Sequence, residues 1–376
     1  MIRRPIQLFT LLLPVVIFAS TTNAQKSCFT AEARDEAERT AKVYSEPDPG
    51  YDPVLGYNPS VGPRAGAPAV GPDGLAAAFT CSANKKESEG AGTTPKFYCS
   101  LPNAVDENGE PIRYKIKPHF KGQSPDKRNG EIYGEFLSSR FSKALGFFAD
   151  DEWVADVTCA DCEKSLTSGF QGAKWNPFQP AAGIELPIGN GIDVKCNNKD
   201  SAALAPTLEK LLKSGGDRAE IDAFKLWLAF IDHGDTKTDN QKFSCLDSKK
   251  NPDGSKVCKP GQAIYYVSDM GATFGYSSAS EKKAKLDGWK GSDPIKVEKG
   301  RCYTTAKKVG DTNISEAGRQ LLATGLQRLI DAENSDQLIT RVFRASRNSE
   351  RDQPAEAWTA EFIRKSKTII DAHCGD

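Results

Sequence analysis

The residues best suited to chemistry fall in two short stretches about thirty residues apart. The first is Ile231-Asp-His233-Gly-Asp235-Thr-Lys237-Thr-Asp239-Asn240, where an apolar helical pattern ends and a polar loop presents an imidazole, carboxylates, an ammonium and an amide. The second is Tyr266-Val-Ser-Asp269-Met270-Gly271. Upstream stand Lys115 and Lys117 in an alternating run, and Glu131 and Glu135 in a helical one. Phosphoryl transfer from a nucleotide requires few parts. One carboxylate orients the attacking hydroxyl, and a carboxylate and an amide hold Mg²⁺ over the phosphates. A lysine held by a glutamate fixes the α and β phosphates. The sequence offers a candidate for each.

Each candidate also has a plainer reading when taken singly. Asp235 with Asn240 suits a helix-end turn in which Asp and Asn satisfy backbone groups. Lys115 and Lys117 suit the solvated side of a strand, and Glu135 a surface helix charge. The chemical reading rests on five positions occurring in one order on suitable elements.

That order carries a resemblance. His233 to Asn240 (HGDTKTDN) resembles the protein-kinase catalytic loop H-R-D-L-x-x-x-N, and Lys237 sits where many kinases carry a lysine. Asp269-Met270-Gly271 resembles the D-F-G metal-binding triplet. The resemblance implies Asp235 as catalytic base and Asn240 and Asp269 as Mg²⁺ ligands. It implies Lys117 as the nucleotide-binding lysine, with Lys115 in reserve, and Glu135 as its partner, with Glu131 as the alternative. The adenine-contacting hinge would fall near Glu185 to Ile188. The reduced first half looks closest to HipA-type and phosphatidylinositol-kinase-like atypical kinases, and the chain is similar to an exported bacterial kinase-like family of no assigned activity.

Departures limit what carries over. Gly234 replaces the loop arginine, and Met270 the phenylalanine. No G-x-G-x-x-G precedes the lysine strand, which leaves the turn at Asn108-Gly109 to cover phosphates. No A-P-E follows Asp269 at the usual distance, and an insert bearing Cys245 and Cys258 stretches the spacing from Asp235.

The elements that must position these residues follow from periodicity. Lys96 to Leu101 and Pro111 to Phe120 read as a hairpin around Asn108-Gly109. In its second strand Ile112, Tyr114 and Ile116 share one face, and Arg113, Lys115 and Lys117 the other. Residues 130–148 read as an amphipathic helix. Strands are predicted at 153–159 and 180–194, and helices at 206–213 and 217–230. Short strands are expected at 242–245 and 263–267, and three closing helices near 314–332, 335–346 and 355–372. This is an α+β order.

Residues 30–46 suit a short polar helix. Residues 47–74 are dense in Pro and Gly and show no packable pattern, so folded structure is expected to begin near Ala76.

The N-terminus reads as a secretory signal. Arg3 and Arg4 precede an apolar run from Leu8 to Ala19, and Thr22-Asn23-Ala24 offers a cleavage site. The run is shorter than the ~20 residues a membrane helix needs. No later stretch approaches a span. Export, to a periplasm or outside the cell, would make disulfides the expected fate of the ten cysteines. Cys81 with Cys99 and Cys245 with Cys258 each close a short polar loop. Cys159-Ala-Asp-Cys162 could be a thioredoxin-like redox pair, but the sequence after it is loop-like, so a structural disulfide is expected. Only three histidines and no second C-x-x-C argue against zinc. With 50 basic and 50 acidic residues, the chain lacks the basic excess of a nucleic-acid binder.

The sequence therefore predicts a two-lobed, protein-kinase-like α+β fold. Residues 1–24 are the signal and 25–94 a mostly disordered arm. Residues 95–190 form a β-rich lobe and 191–376 a helical lobe with the catalytic loop. The expected function is ATP- and Mg²⁺-dependent transfer to a hydroxyl of a protein, lipid or small molecule, with no membrane span after cleavage. The alternative is an inactive pseudokinase acting as a protein-binding module. A third reading is a glycan hydrolase with Asp235 and Asp269 as paired carboxylates.

Overall fold

A computed structural model describes residues 29–83, 96–105, 111–118, 130–162, 177–191, 207–237, 240–275, 284–307, 309–350 and 352–375. The signal segment, Cys28, Cys196 and the Asn108-Gly109 turn lie outside them. The chain is mixed α+β, with a sheet-rich first half and a helix-rich second half.

The first half comprises helix α1 (Ala31–Thr40), strands β1 (Phe79–Thr80), β2 (Ser82–Ala83), β3 (Phe97–Val105) and β4 (Pro111–Lys117), helix α2 (Gly130–Ala144), and strands β5 (Asp151–Thr158) and β6 (Phe178–Leu186). Six of these strands form one sheet in the order β1-β5-β6-β4-β3-β2. It is antiparallel except for β1 beside β5. The pleat alternates side chains between its faces. Tyr114 and Ile116 share an apolar cluster with Trp153, Val157 and Ile184. Lys115, Lys117, Glu152 and Glu185 occupy the opposite face, which α2 covers.

The second half holds β7 (Asn190–Gly191), α3 (Leu208–Lys213), α4 (Arg218–Phe230), β8 (Gln241–Cys245), β9 (Ser248–Lys250), β10 (Lys256–Cys258) and β11 (Ala263–Val267). It ends with α5 (Leu286–Trp289), β12 (Ile295–Glu298), β13 (Arg301–Thr304), β14 (Asn313–Ile314), α6 (Glu316–Asp336), α7 (Leu338–Ala345) and α8 (Ala355–Ile370). Helix α4 starts at Asp217, whose carboxylate accepts from the Glu220 amide, and the Trp289 indole donates to the Phe230 carbonyl at its far end. Ten consecutive residues of α4, from Ile221 to Phe230, are buried. A helix buried on all sides must run through a core, its Asp222 and Lys225 pairing with each other at 3.2 Å, and α4 packs against α6 while Phe230 meets Phe362 of α8.

Residues 29–83 correct the expectation of a disordered arm: they pack along both halves. The Lys42 amide donates to the Ala263 carbonyl, and the Tyr265 amide to the Lys42 carbonyl. The Val43 and Tyr44 amides both face the Glu220 carboxylate of α4 at 3.3 Å. Further along, Val54 is fully buried, the Tyr114 hydroxyl donates to the Gly66 carbonyl at 2.6 Å, and Arg64 pairs with Asp151. Gly56, at φ +84°, lies so close to the Arg140 guanidinium that a Cβ would overlap it. The Pro and Gly content suits irregular backbone and close approach as well as it suits disorder, which is why composition misled.

Among the described residues, disulfides join Cys81–Cys99, Cys159–Cys162, Cys245–Cys258 and Cys302–Cys374. The first three were expected. The fourth, across 72 residues, had no local signal. Such pairing fits folding in an oxidising compartment. No described helix is long and apolar enough to cross a membrane.

Candidate active site

Helix α2 and β4 meet the loop after β11 at a buried cluster of charges. Lys117, 2% exposed, donates to Glu131 at 2.7 Å and also to Glu135, and its Nζ stands 3.8 Å from Asp269. Glu131 and Glu135 are one turn apart on α2 and so share its inner face. Both predicted glutamate candidates thus hold the same lysine. Lys115, the reserve, pairs instead with Glu185 on the neighbouring strand.

The close approach of α2 to the Asp269 loop depends on two glycines. A Cβ on Gly134 would lie 2.8 Å from the Gly271 carbonyl oxygen, and one on Gly271 would lie 2.0 Å from Glu131 Cγ. Both distances are shorter than real Cβ contacts. Ser138 and Thr273 join hydroxyls across the same seam at 3.1 Å, and Thr273 donates to the Met270 carbonyl. Met270, in the same loop, is buried.

The loop from His233 to Asn240 is fastened to the Asp269 loop by backbone. Asp232 takes a left-handed conformation, φ 51°, which Asp tolerates better than most residues. The Gly234 amide then donates to the Ala272 carbonyl at 2.9 Å, and His233 Nδ1 lies 3.3 Å from the same oxygen. Burial holds the His233 pKa down, opposed by Asp269. The Phe274 amide returns a hydrogen bond to the Ile231 carbonyl at 2.6 Å. Asn240 Nδ2 donates to the Asp235 carbonyl at 2.9 Å, which leaves its side-chain oxygen unused by that bond. The Ser268 amide donates to the Asn240 carbonyl at 2.8 Å, bringing Asn240 beside the residue that precedes Asp269. Lys237 Nζ donates to Asp235 Oδ2 at 2.8 Å.

The electrostatics are lopsided. Burial opposes charge on Lys117, but Asp269, Glu131 and Glu135 outweigh it and keep the ammonium protonated well above its usual range. The same Lys117 charge holds Asp269 far below the usual carboxylate range despite partial burial. Burial, with Glu131 and Asp269 nearby, pushes Glu135 up to about 8. Asp150, buried and near Glu185, rises to about 7, and Glu152 is raised by burial and by Glu135 and Glu185. Lys96 lies at the edge of the group, its pKa lowered by burial and then by Lys115 and Lys117.

No protein-family model matches this chain, and no curated protein matches it. Among solved structures it is similar to the crystal structure of a Helicobacter pylori proinflammatory kinase, CtkA. The TM-score is 0.39 and the identity 10%, over 79% of this chain and 94% of that one. Likeness at that level carries no argument about this chain.

The geometry therefore stands by itself. It brings together Lys117, Glu131, Glu135 and Asp269, and it ties Asp235 and Asn240 to the adjoining loop. Asp150 and Glu152 went unnoticed in sequence, and Glu185 was noted only as part of a hinge. Their signal was a run of acids, Asp150-Asp151-Glu152, entering a strand with an apolar continuation.

Proposed function

We propose that this chain is an exported kinase-like phosphotransferase that moves the terminal phosphate of Mg²⁺-ATP to a hydroxyl acceptor. The single observation that supports this reading best is Lys117, buried between Glu131 and Glu135 and 3.8 Å from Asp269. A buried lysine needs partners, but one carboxylate would suffice for stability. Three converging on it keep it charged, oriented and facing an ionised aspartate. That is the arrangement a phosphate clamp needs beside a cation site.

The residues fit Mg²⁺ in their donor chemistry. Asp269 is 38% exposed and ionised, so it can turn an oxygen outward. The hydrogen bond from Asn240 Nδ2 to Asp235 turns the amide so that oxygen is the atom left to offer. Hard oxygen donors suit Mg²⁺, which keeps several waters and binds through one or two carboxylates plus phosphates. When bound, the cation would neutralise charge on the phosphates. Lys117 would fix the non-transferred phosphates, and Glu135 and Glu131 would hold Lys117. Asp235 would accept a hydrogen bond from the acceptor hydroxyl and orient it, with Lys237 holding the carboxylate's other oxygen.

The test is transfer itself. Purified oxidised chain is incubated with Mg²⁺ and γ-labelled ATP, alone and with protein, lipid and small-molecule acceptors. Label should appear on the chain or an acceptor and fall by a factor of about 10² or more in Asp235→Asn, the scale of a lost acid–base group. Nucleotide binding without transfer would favour the pseudokinase reading.

A further inference from the structure

The charged face holds a second group of carboxylates, of which Asp269 is not a member. Glu152 and Glu185 stand directly opposite each other on β5 and β6. Like charges so placed destabilise a sheet. Glu135 reaches them from α2, and one carboxylate oxygen from each of the three lies within 4.8 Å of the others. All three residues are buried. Glu135, Ser139, Asp150 and Glu152, with Val267 and Met270, line a cavity of about 10 Å³. That is room for about one water-sized sphere.

The lysines nearby leave part of this group uncompensated. Lys115 pairs with Glu185. Lys117 donates to Oε1 of Glu135 and is shared with Glu131 and Asp269. Asp150 and Glu152 have no ion pair among the described residues. Asp150 at least accepts from the Ile188 amide at 2.7 Å. Glu152 is 5% exposed, and Arg140 donates to its main-chain carbonyl, not to its carboxylate. Among the described residues nothing donates to that carboxylate, which lines the cavity. A buried carboxylate without donor or cation is costly. Two such negative charges on a cavity of one sphere match one divalent ion.

We propose that this cavity binds a single Ca²⁺ ion, held by Glu135, Glu152 and Glu185, which pins α2 to β5 and β6. Oxygens sharing one ion lie at most two bond lengths apart, about 4.8 Å at a Ca–O distance of ~2.4 Å. The three carboxylates meet that bound. Bidentate carboxylates, Asp150 and the Ser139 hydroxyl supply further oxygens toward the ~6–8 that calcium takes. Magnesium fits worse, because it demands octahedral geometry at ~2.1 Å and keeps several waters, for which the cavity has no room. The proposal goes beyond the nucleotide reading and survives its failure, since Glu152 has no part in that reading.

The experiment uses the full oxidised chain, stripped of metal with EDTA and dialysed, without nucleotide. Thermal unfolding is followed as calcium chloride or magnesium chloride is added to millimolar concentration. Calcium should raise the unfolding temperature saturably, and magnesium should raise it less at equal concentration. Glu152→Gln keeps the shape of the side chain and removes its charge. That variant should be at least as stable as the parent without calcium, and its calcium response should disappear. Asp269→Asn, which alters the proposed nucleotide cation site, should keep the response. The proposal is overturned if calcium gives no shift in chain shown to be folded, or if the shift persists in Glu152→Gln. Loss of the shift in Asp269→Asn would also overturn it, because the ion would then sit at the nucleotide site. So would an equal response to magnesium.

Discussion

The two faces of the six-stranded sheet are built on opposite principles. Toward residues 64–76, the sheet buries Tyr114, Ile116, Trp153, Val157 and Ile184, with the Cys81–Cys99 and Cys159–Cys162 disulfides among them. Toward α2, the same strands bury Lys117, Glu152 and Glu185 and half-bury Lys115. An apolar face gains from leaving water, roughly 25 cal/mol per Å². A charged face loses on leaving water and recovers only through pairing, often incompletely. A fold selected for stability alone has no use for the second face. Sites where local rules are broken at a cost are where chemistry is expected.

The largest effect should come from removing the cation that organises the charged face. Lys117→Met leaves Glu131 and Glu135 buried without their lysine, and chemical unfolding should show a loss of about 3–5 kcal/mol. Ile116→Ala, one residue away on the other face, should cost about 2–5 kcal/mol by leaving a cavity. The two differ in rescue. Adding Glu135→Gln to Lys117→Met should restore part of the loss, whereas adding it to Ile116→Ala should restore none. Equal behaviour would erase the contrast between the faces.

Gly134→Ala should come next. The new methyl meets the Gly271 carbonyl, which is backbone and yields little. A loss of about 1–3 kcal/mol is expected from overpacking, and displacement of the Asp269 loop should show in amide exchange at Met270 to Thr273.

The faces also differ in pH response. Glu135 has an ordinary pKa of 4.5 and a folded value of about 8, and Asp150 moves from 3.8 to about 7. Raised folded values mean that the folded state binds more protons across these windows. Stability contributed by these groups is complete below the ordinary values and is lost as pH rises through the folded ones. The shift of Asp269 is downward, so its contribution changes only in acid. Unfolding free energy should therefore fall between about pH 5 and pH 8, and the fall should shrink in Glu135→Gln. The disulfide-bearing face has no such dependence. A flat profile over that range would contradict the buried-acid picture.

The smallest effect is at the seam with the N-terminal segment. Tyr114→Phe deletes the 2.6 Å bond to the Gly66 carbonyl and should cost about 1 kcal/mol.

Much of this was legible in sequence because local signals were strong. The alternation of residues 112–117 separated the two faces of β4 correctly, and the apolar run ending at Phe230 gave α4 and its loop within a residue or two. Lys117, which the sequence put ahead of Lys115 for the nucleotide, is the lysine that pairs with Glu131 and Glu135 and faces Asp269, while Lys115 pairs with Glu185. Other features depend on contacts between distant segments. Nothing near Cys302 points to Cys374. The hairpins of residues 295–314 carry no clear alternation, since Lys296, Val297 and Glu298 are all exposed. The packing of residues 41–83 rests on backbone hydrogen bonds and close approach at glycine, for which composition offers no pattern. The burial of Glu185 had no sign of its own in the sequence, because only its pairing across the sheet with Lys115 places it inside.

If the charged face binds a nucleotide, ATP should bind there in a magnesium-dependent way. Thermal unfolding of the oxidised chain is followed with ATP alone, Mg²⁺ alone and both together, beside Asp269→Asn. A ligand that prefers the native state raises its stability by about 2.7 kcal/mol at a hundred times its dissociation constant. ATP and Mg²⁺ together should raise the unfolding temperature, and Asp269→Asn should abolish that shift while remaining folded. No shift at saturating millimolar ATP and Mg²⁺, in chain shown to be folded, would contradict nucleotide binding at that face.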